Sequence, residues 1–432
     1  MAGRASLRRH PCVWMVLVAL TLRLVVVAFL YPERLNPDRD YWRFAGETGR
    51  IARSLVQGQG FANPLFGETG PTAWMTPVYP LLLAGVFQVF GVYTKASALV
   101  MLALDSLFSA LTCLPVFFLA RLGCGERAAR WAGWIWAFFP YAVYFSADFI
   151  WPTTLTTLLL ALLVMCLLRL EQSGGPALDF AFGVFAGAAA LTDPVVLSVV
   201  PFLAAWMYYR RVPGRVRWFA GAGLMALGFV LTVSPWFVRN YRTFHTWIPF
   251  RDTLGLELYV GNNGDSSHFA PQGYHPSASV RELGEYQQLR EIAYMARKKQ
   301  QALDFIFRHP AWFAGMTLRR ILYMWTNFWS LKADYLAQEP FELPNIFLST
   351  LMDAVALAGL YRAFRERSVL AVPLGILLLL FPMVYYVTHW EDYYRRPLDP
   401  AIVVLATYEL SARFPGRGTG RGQTMPQPPA TA

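Results

Sequence analysis

The sequence predicts an all-α polytopic membrane protein. Of its 432 residues, 56% are hydrophobic and only 15% are charged, whereas soluble domains carry about 25% charged residues. Several apolar runs also reach the roughly 20 residues that a helix needs to cross the hydrocarbon core of a bilayer. These observations exclude an ordinary soluble domain.

Ten apolar segments are predicted to be transmembrane helices. The first follows a basic start, as in a signal peptide, but Leu30-Tyr31-Pro32 is a poor cleavage site, so we interpret this segment as a retained span. Two further apolar pieces, 77–93 and 311–330, are ambiguous from hydropathy alone. The ten predicted spans lie at about 12–31, 95–120, 131–147, 149–168, 178–192, 194–209, 217–236, 345–361, 369–388 and 397–412.

Arginine clusters in short loops set the predicted topology, because such loops face the cytoplasm. If 77–93 crossed the membrane, the turn around Arg127 would face outside. If it lies at the outer surface instead, every cluster faces the cytoplasm, and the same parity places 311–330 at the outer surface. We therefore predict ten spans with both chain ends in the cytoplasm. The clusters are Arg4/Arg8/Arg9, Arg121/Arg127/Arg130, Arg169, Arg210/Arg211/Arg215/Arg217, Arg362/Arg365/Arg367 and Arg413/Arg417/Arg421.

This topology divides the chain into four parts. Residues 1–238 are predicted to form an N-terminal transmembrane catalytic module that includes an outer loop at 32–93. Residues 239–344 form an extracytoplasmic segment with juxtamembrane helices, in which apolar spacing predicts a helix over 281–309 that Pro310 ends. Transmembrane helices at 345–412 and a disordered cytoplasmic tail at 413–432 complete the chain.

The net charge of +11 has a simple explanation in a membrane protein. The arginines orient the chain and contact anionic lipid, so membrane lipid is an expected partner and nucleic acid is not. The four cysteines form no CxxC pair, no metal-binding spacing and no disulfide framework.

The outer loop carries the first candidate chemistry. Asp40 and Glu47 follow the first span, and Arg50 lies one turn from Glu47 on a predicted helix. At a membrane surface, an acid and an arginine suit a reaction at a lipid phosphate, the acid as general base and the arginine as phosphate ligand. A solvated loop with salt bridges explains the same composition, and composition alone favours it.

Further candidates lie at other predicted outer helix ends. Asp148 is either a second functional acid or a helix cap. The segment 389–400 concentrates acids and arginines that are either ligands or an interfacial belt. Asp105 and Asp353 lie inside predicted spans, where an acid is a functional candidate, but neighbouring small and hydroxyl residues favour an interhelical hydrogen bond.

Several strings occur in order between about residues 15 and 410 and together carry a family resemblance. They are ETGRIARSLVQGQGF with PVYPLLLAGVFQVFG, SPWFVRNYRTF with LELYVGNN, FIFRHPAWFAGMTLRRILYMW, and YYRRPLDP. In this order they resemble the GT-C glycosyltransferases, which are membrane enzymes that use polyprenyl-phosphate sugars. The nearest branch includes protein O-mannosyltransferases and lipid A aminoarabinose transferases. Tyr393 stands where that family usually has the first arginine of its late motif.

The resemblance implies a GT-C-like bundle and roles for individual residues. Glu47 aligns best with the family's key acid, and Asp40 is the fallback. The family's second acid aligns with Pro152, so Asp148, one turn earlier, is the candidate substitute and the third catalytic candidate. The implied donor-phosphate ligands are Arg50, Arg319, Arg320, Arg395 and Arg396, and the implied acceptor or sugar contacts are His389, Asn262 and Asn263.

The implied reaction is inverting sugar transfer at the extracytoplasmic face of the plasma (inner) membrane. The partners are a polyprenyl-phosphate-linked sugar and a lipid, glycan or protein acceptor. No nucleotide is needed. A divalent cation is compatible with the chemistry, but the sequence identifies no ligands for it.

Two other functions are compatible with the composition. A transporter or flippase of lipid-linked saccharides more often shows paired repeats and broken midplane helices, which this sequence lacks. A polysaccharide ligase or polymerase also joins lipid-linked sugars outside the cell, and the late basic segment at 389–396 gives it some support. The order of the loop strings favours glycosyl transfer.

Overall fold

The computed structural model describes residues 11–34, 44–211, 215–265, 272–338 and 341–414. Within these ranges the chain is helical and contains no β-strand, only two isolated bridges. The α-helices are α1 Pro11–Arg34, α2 Gly46–Val56, α3 Val78–Phe90, α4 Lys95–Leu111, α5 Cys113–Ala137, α6 Pro140–Asp148, α7 Thr153–Ser173, α8 Pro176–Ala190, α9 Val200–Arg211, α10 Arg215–Phe244, α11 Leu254–Gly261, α12 Val280–Arg308, α13 Pro310–Thr326, α14 Ala333–Gln338, α15 Glu342–Arg365, α16 Ala371–Leu380, α17 Met383–Val387 and α18 Asp399–Arg413. Short 3-10 helices lie at Pro194–Ser198, Gln272–Tyr274 and Asp392–Leu398.

The prediction of an all-α polytopic membrane protein is confirmed. Within the described ranges, five helical stretches are long and apolar enough to cross a membrane. One of them, Lys95–Asp148, has 54 residues. As a straight helix it would measure about 80 Å, far more than the roughly 30 Å hydrocarbon core, so it contains more than one crossing. The other four are Pro11–Leu30, Thr153–Gln172, Trp218–Phe244 and Glu342–Arg365, and the total of ten spans stays a prediction.

The long stretch is divided at the predicted basic turn. Gly125, within α5, has φ +80° and ψ −178°, which are not helical angles. This backbone conformation is accessible mainly to glycine. The predicted span 95–120 also differs from the structure, because α4 ends at Leu111 and α5 begins immediately afterwards at Cys113.

Helix α3 corresponds to the ambiguous segment 77–93. It has 13 residues, so its length of about 20 Å is shorter than the roughly 30 Å hydrocarbon core. Its buried side chains, among them Tyr79, Leu83 and Phe87, join a cluster with residues of α2 and α4. This length suits a surface helix, but the side of the membrane on which α3 lies stays a prediction.

Glycines let neighbouring helices of the bundle pack at short distance. A Cβ atom added at Gly183 of α8 would lie 1.9 Å from the carbonyl oxygen of Met225 in α10. In the same way, a Cβ at Gly359 of α15 would lie 2.0 Å from the carbonyl oxygen of Leu405 in α18. Small residues are typical of membrane helix interfaces, because dispersion contacts between close backbones replace the hydrophobic effect there.

Many of the arginines predicted to be cytoplasmic form ion pairs at one end of the bundle. Arg211 pairs with Asp179 at 2.7 Å, and Arg362 pairs with Glu409 at 2.6 Å. The guanidinium of Arg169 lies 5.3 Å from the ring of Phe118, which is in α5. The opposite end of the bundle carries the polar residues described next.

Candidate functional site

The candidate site begins where the outer loop meets the turn between α6 and α7. Phe44 and Ile150 form an isolated parallel bridge. Gly46 has φ +43°, and a Cβ there would lie 3.5 Å from the ring of Trp151. The start of α2, which carries Glu47, therefore lies beside the segment that contains Asp148. The sequence separates these two acids by 101 positions, and the fold brings their segments together.

The two acids occupy different environments. Glu47 lies in the first turn of α2 and is partly buried. A carboxylate is favoured there by the positive end of the helix dipole. Asp148 is the last residue of α6 and only 1% exposed. Ala45, which precedes α2, has φ +70°, a conformation uncommon outside glycine and often found at functional sites. The fallback acid Asp40 lies outside the described residues.

Arg50 holds α2 against the following loop. Its guanidinium donates to the carbonyl oxygen of Pro64 at 3.1 Å and lies 4.0 Å from the ring centre of Phe66. Its side chain is buried. These contacts favour a structural role, and the predicted role as a donor-phosphate ligand stays a prediction.

A row of aromatic side chains, called here the aromatic wall, lies next to the segment that contains Asp148. The ring of Trp151 lies 5.9 Å from that of Tyr393. Tyr393 contacts Tyr394 at 4.7 Å, and Tyr394 stacks on Tyr385 at 4.2 Å. The aromatic surface therefore runs from the segment beside Glu47 to the late segment 389–396.

His389 and Glu257 lie at the end of this aromatic wall. His389 shares a hydrogen bond with the Tyr394 hydroxyl through Nε2 at 2.9 Å, and its Nδ1 lies 3.5 Å from Oε2 of Glu257. Burial lowers the pKa of His389, although Glu257 opposes the shift. The imidazole is therefore mainly neutral near pH 7 and can accept or donate one proton.

The carboxyl group of Glu391 has an unusually high pKa. Burial raises its pKa well above the ordinary range, and the neighbouring acids Asp392 and Glu257 raise it further. Its side chain forms no ion pair within the described segments, although part of its surface stays accessible. A carboxyl group with these properties favours its protonated form, which can donate a hydrogen bond to a substrate oxygen.

Three site residues were not identified from the sequence as functional: Arg251, Asp193 and Glu257. Burial by itself would lower the pKa of Arg251, but Asp193 and Glu257 outweigh it and hold the pKa above its ordinary value. Asp193 follows α8, and its carboxylate accepts a hydrogen bond from the Val195 amide at 3.1 Å. The available signal was only that all three are charged residues outside the predicted spans.

Two of the predicted phosphate ligands are already paired inside the protein. Arg395 donates to Asp353 at 2.8 Å and to the carbonyl oxygen of Met324 at 3.0 Å. Arg396 pairs with Asp399 at 3.1 Å, and its guanidinium lies 4.2 Å from the ring centre of Tyr141. These pairs fasten the segment 392–399 to α13, α15 and α6. They favour structural roles, so phosphate binding by these two arginines stays a prediction.

The neighbouring arginines of α13 face different surroundings. Arg319 is exposed, whereas Arg320 is 1% exposed. Arg320 donates to the carbonyl oxygen of Gly261 and lies 3.3 Å from Oδ1 of Asn262 and from the carbonyl oxygen of Tyr386. Burial lowers the pKa of Arg320 to about 10. Both arginines stay predictions as donor ligands.

The two asparagines after α11 bind backbone groups. Asn262 donates to the carbonyl oxygens of Leu258 and Val387, each at 2.9 Å. Asn263 donates to the carbonyl oxygen of Tyr259 at 2.8 Å. These bonds fix the end of α11 beside α17, and sugar or acceptor contacts by the asparagines stay predictions.

The described segments contain no group of three or more His, Cys, Asp or Glu side chains that could hold a metal ion. Asp40, which lies close to Glu47 in sequence, is outside those segments. The divalent cation therefore stays an open prediction, and no step below depends on it.

Comparison with solved structures decides the fold. Oligosaccharyltransferase AglB from Archaeoglobus fulgidus, in complex with an inhibitory peptide and a dolichol-phosphate, matches with a TM-score of 0.55 and 15% identity over 94% of this chain and 51% of that one. AglB is a GT-C glycosyltransferase. The chain has the GT-C fold. The chain spans about half the length of that neighbour. The comparison therefore shows a shared fold, and it does not show that this chain has the activity of the larger protein.

Other comparisons give the limits of the likeness. The zinc and sulfate complex of the same Archaeoglobus fulgidus enzyme matches with a TM-score of 0.50 and 14% identity, over 94% of this chain and 49% of that one. ArnT from Cupriavidus metallidurans bound to undecaprenyl phosphate has 16% identity over 93% of this chain and 77% of that one, with a TM-score of 0.36 that supports no conclusion. No family model and no curated protein matches the chain.

Proposed function

We propose that the protein is a membrane glycosyltransferase that moves a sugar from a polyprenyl-phosphate donor to an acceptor at the extracytoplasmic face. The observation that carries this proposal is the bridge between Phe44 and Ile150, within a GT-C fold. It brings the helix that carries Glu47 against the segment that carries Asp148. Two acids from distant parts of the chain then lie on neighbouring segments, next to the aromatic contact of Trp151 with Tyr393.

In the proposed reaction Glu47 acts as the general base. It takes the proton of an acceptor hydroxyl, whose oxygen forms a bond to the anomeric carbon of the donor sugar. The bond from that carbon to the phosphate oxygen breaks, and the electron pair leaves with the polyprenyl phosphate. A single displacement of this kind inverts the anomeric configuration. Asp148 lies on the neighbouring segment, where a negative charge would favour the oxocarbenium character of the transition state.

The aromatic wall suits a sugar. Tyrosine rings offer apolar faces for the sugar C–H groups, and their hydroxyls are hydrogen-bond partners. Glu257 and Glu391, whose pKa is raised by burial, supply carboxyl groups that can form hydrogen bonds with sugar hydroxyls. A lipid, a glycan or a protein hydroxyl is compatible with this arrangement as the acceptor.

Mass analysis of membrane lipids tests the function. In membranes from cells that lack the protein, we expect one polyprenyl-phosphate-linked sugar to accumulate. Expression of the wild-type protein should consume it and release polyprenyl phosphate. Lipid-linked sugars that are unchanged in amount and in leaflet distribution would contradict the proposal. A change of leaflet distribution without loss of the sugar would instead indicate a flippase.

A further inference from the structure

A group of exposed aromatic side chains lies at the end of α10. The ring of Trp247 lies 4.7 Å from that of Phe237 and 6.1 Å from that of Tyr241. Trp247 is 77% exposed and Tyr241 is 47% exposed. Because a cluster of large exposed apolar groups marks an interaction surface, these three residues, called here the α10 aromatic patch, need a partner.

The backbone turn after α10 assembles the patch. The side-chain amide of Asn240 donates to the carbonyl oxygen of Ile248 at 3.0 Å, which closes the turn. This turn brings Trp247 back against Phe237, ten positions earlier. Asn240 is buried, so the turn is held from inside the protein. The patch is therefore one fixed surface and not three independent side chains.

The sequence of α10 sets the depth of the patch in a membrane. Residues 218–238 form a run of 21 residues without a charge, bounded by Arg217 and Arg239. A helix of this length measures about 32 Å, which matches the roughly 30 Å hydrocarbon core. Because charged side chains avoid the hydrocarbon, the end of this run marks the boundary of the core. Phe237 lies just before this boundary and Tyr241 just after it, so the patch lies at the level of the lipid headgroups.

The opposite face of the same helix end is occupied by protein contacts. Arg239 donates to the carbonyl oxygens of Phe61 at 2.7 Å and of Thr72 at 2.6 Å. Trp236 is buried, and its ring lies 4.7 Å from that of Phe61. The end of α10 therefore holds the loop 61–72 on one face and presents the α10 aromatic patch on the other.

We propose that the α10 aromatic patch binds the headgroup and glycerol region of the bilayer and thereby holds the loop 61–72 at a fixed depth. Trp and Tyr side chains favour this region, because their rings are apolar while their N–H and O–H groups form hydrogen bonds with water and lipid oxygens. The patch is continuous with the candidate membrane span Trp218–Phe244. This continuity indicates the bilayer, and not a soluble protein, as the partner.

The loop connects the patch to α2. Arg50 of α2 donates to the carbonyl oxygen of Pro64 at 3.1 Å, and the side-chain amide of Asn63 donates to Oγ of Ser54 at 3.2 Å. A bilayer contact at the end of α10 therefore limits the movement of α2, which carries Glu47, relative to the membrane surface. The anchor itself does not depend on sugar transfer.

Fluorine NMR of the full-length protein in lipid nanodiscs tests the proposal. Tryptophan is replaced biosynthetically by 5-fluorotryptophan, and Trp247→Phe identifies the resonance of Trp247 by its absence. Spin labels are placed in turn on the lipid near the headgroup, on the lipid at the end of the acyl chain, and on a water-soluble agent. We expect the label near the headgroup to broaden the Trp247 resonance most. Trp136, which is 2% exposed and is identified through Trp136→Phe, is the buried control and should respond least.

Hydrogen exchange in the same nanodiscs tests the hold on the loop 61–72. The double variant Tyr241→Ser/Trp247→Ser should raise the amide exchange rates of the loop severalfold, because the loop loses its fixed support. Val280→Ser removes an exposed apolar side chain of α12 and is the matched control, which should leave these rates unchanged. Arg239→Gln should also raise them but should keep the wild-type broadening of the Trp247 resonance, because it breaks the link and not the anchor.

Three NMR results would overturn the inference. Strongest broadening by the water-soluble agent would place Trp247 in water, and strongest broadening by the chain-end label would place it inside the hydrocarbon. Broadening by none of the labels would show that protein, such as a second copy of this chain, covers the patch. Unchanged loop exchange in a folded double variant would refute the hold on the loop, and if that variant does not fold, Arg239→Gln and the wild-type spectra still decide. Absence of sugar transfer with all expected results intact would contradict the proposed function and not the anchor.

Discussion

At the residue scale, two carboxyl groups outside the candidate site illustrate how burial controls charge. Glu291 accepts hydrogen bonds from the Ala73 amide and from the Tyr286 hydroxyl, the latter at 2.7 Å. Burial raises the pKa of Glu291, and burial together with the charge of Glu291 raises the pKa of Asp252 well above its ordinary value. Arg290, directly before Glu291, has φ +63° and ψ 167°. Such a conformation costs about 1–3 kcal/mol outside glycine, so tertiary contacts must hold it in place.

The raised pKa values predict that stability falls with rising pH. Both carboxyls are protonated below their unfolded pKa values of about 4, where burial carries no charge penalty. As pH rises, the carboxyls lose their protons at a lower pH in the unfolded state than in the folded state. Between the unfolded and the folded pKa values the unfolded state is therefore increasingly favoured, and the free energy of unfolding falls. In thermal unfolding followed by tryptophan fluorescence, Asp252→Asn should reduce this decline between acid and neutral pH.

The matched control for this prediction is Asp304→Asn. Asp304 accepts an exposed hydrogen bond from Gln300 within α12, so its substitution should leave the pH profile unchanged. An Asp252→Asn profile that is parallel to the wild type would show that Asp252 does not hold a proton in the folded state.

At the element scale, the close packing of α8 against α10 requires a glycine at position 183, and this requirement can be tested by mutation. A Cβ at Gly183 would meet the backbone of Met225, which has no flexible end to move aside. Gly183→Ala should therefore lower the free energy of unfolding by about 1–3 kcal/mol, as overpacking does. Gly223→Ala in α10 is the control, because no atom lies within 4 Å of the added Cβ. It should be neutral or stabilising by up to about 1 kcal/mol. Equal melting temperatures for the two variants would contradict this packing.

The predicted topology can be tested by finding on which side of the membrane the two ends of α3 lie. Glu68 and Lys95, which flank α3, are both exposed. Each is changed to cysteine in a background that lacks the native cysteines and is then treated with a thiol reagent that does not cross membranes. If α3 lies at the outer surface, both positions react from outside. Labelling of position 95 from the cytoplasm alone would show that α3 crosses the membrane.

At the scale of the whole molecule, the helices were more predictable than the site. Apolar length predicted helices in the right parts of the chain but not their bounds, since the predicted span 95–120 runs past the end of α4 at Leu111. Pro310 marked the end of α12 correctly, because that signal is local. The approach of Glu47 to Asp148 depends on a bridge between Phe44 and Ile150 that no local pattern encodes.

Charged residues near the candidate site could not be sorted from the sequence alone. Arg251 and Asp193 lie 58 positions apart, on opposite sides of α10, so nothing in the sequence places them together. Conversely, Arg395 looked available as a ligand, because its partner Asp353 lies far away in sequence. Which arginine is free and which is paired follows only from the assembled bundle.

The measurement that tests the central claim most directly compares two carboxyl variants in sugar transfer. Purified Glu47→Gln and Glu68→Gln proteins are incubated with the polyprenyl-phosphate sugar that accumulates without the protein, and release of polyprenyl phosphate is followed. Glu68 is exposed on the same outer loop and serves as the control. Loss of the general base should slow Glu47→Gln by about 100-fold or more, while Glu68→Gln stays close to the wild type. A folded Glu47→Gln protein with full transfer activity would contradict the assignment of Glu47 as the base.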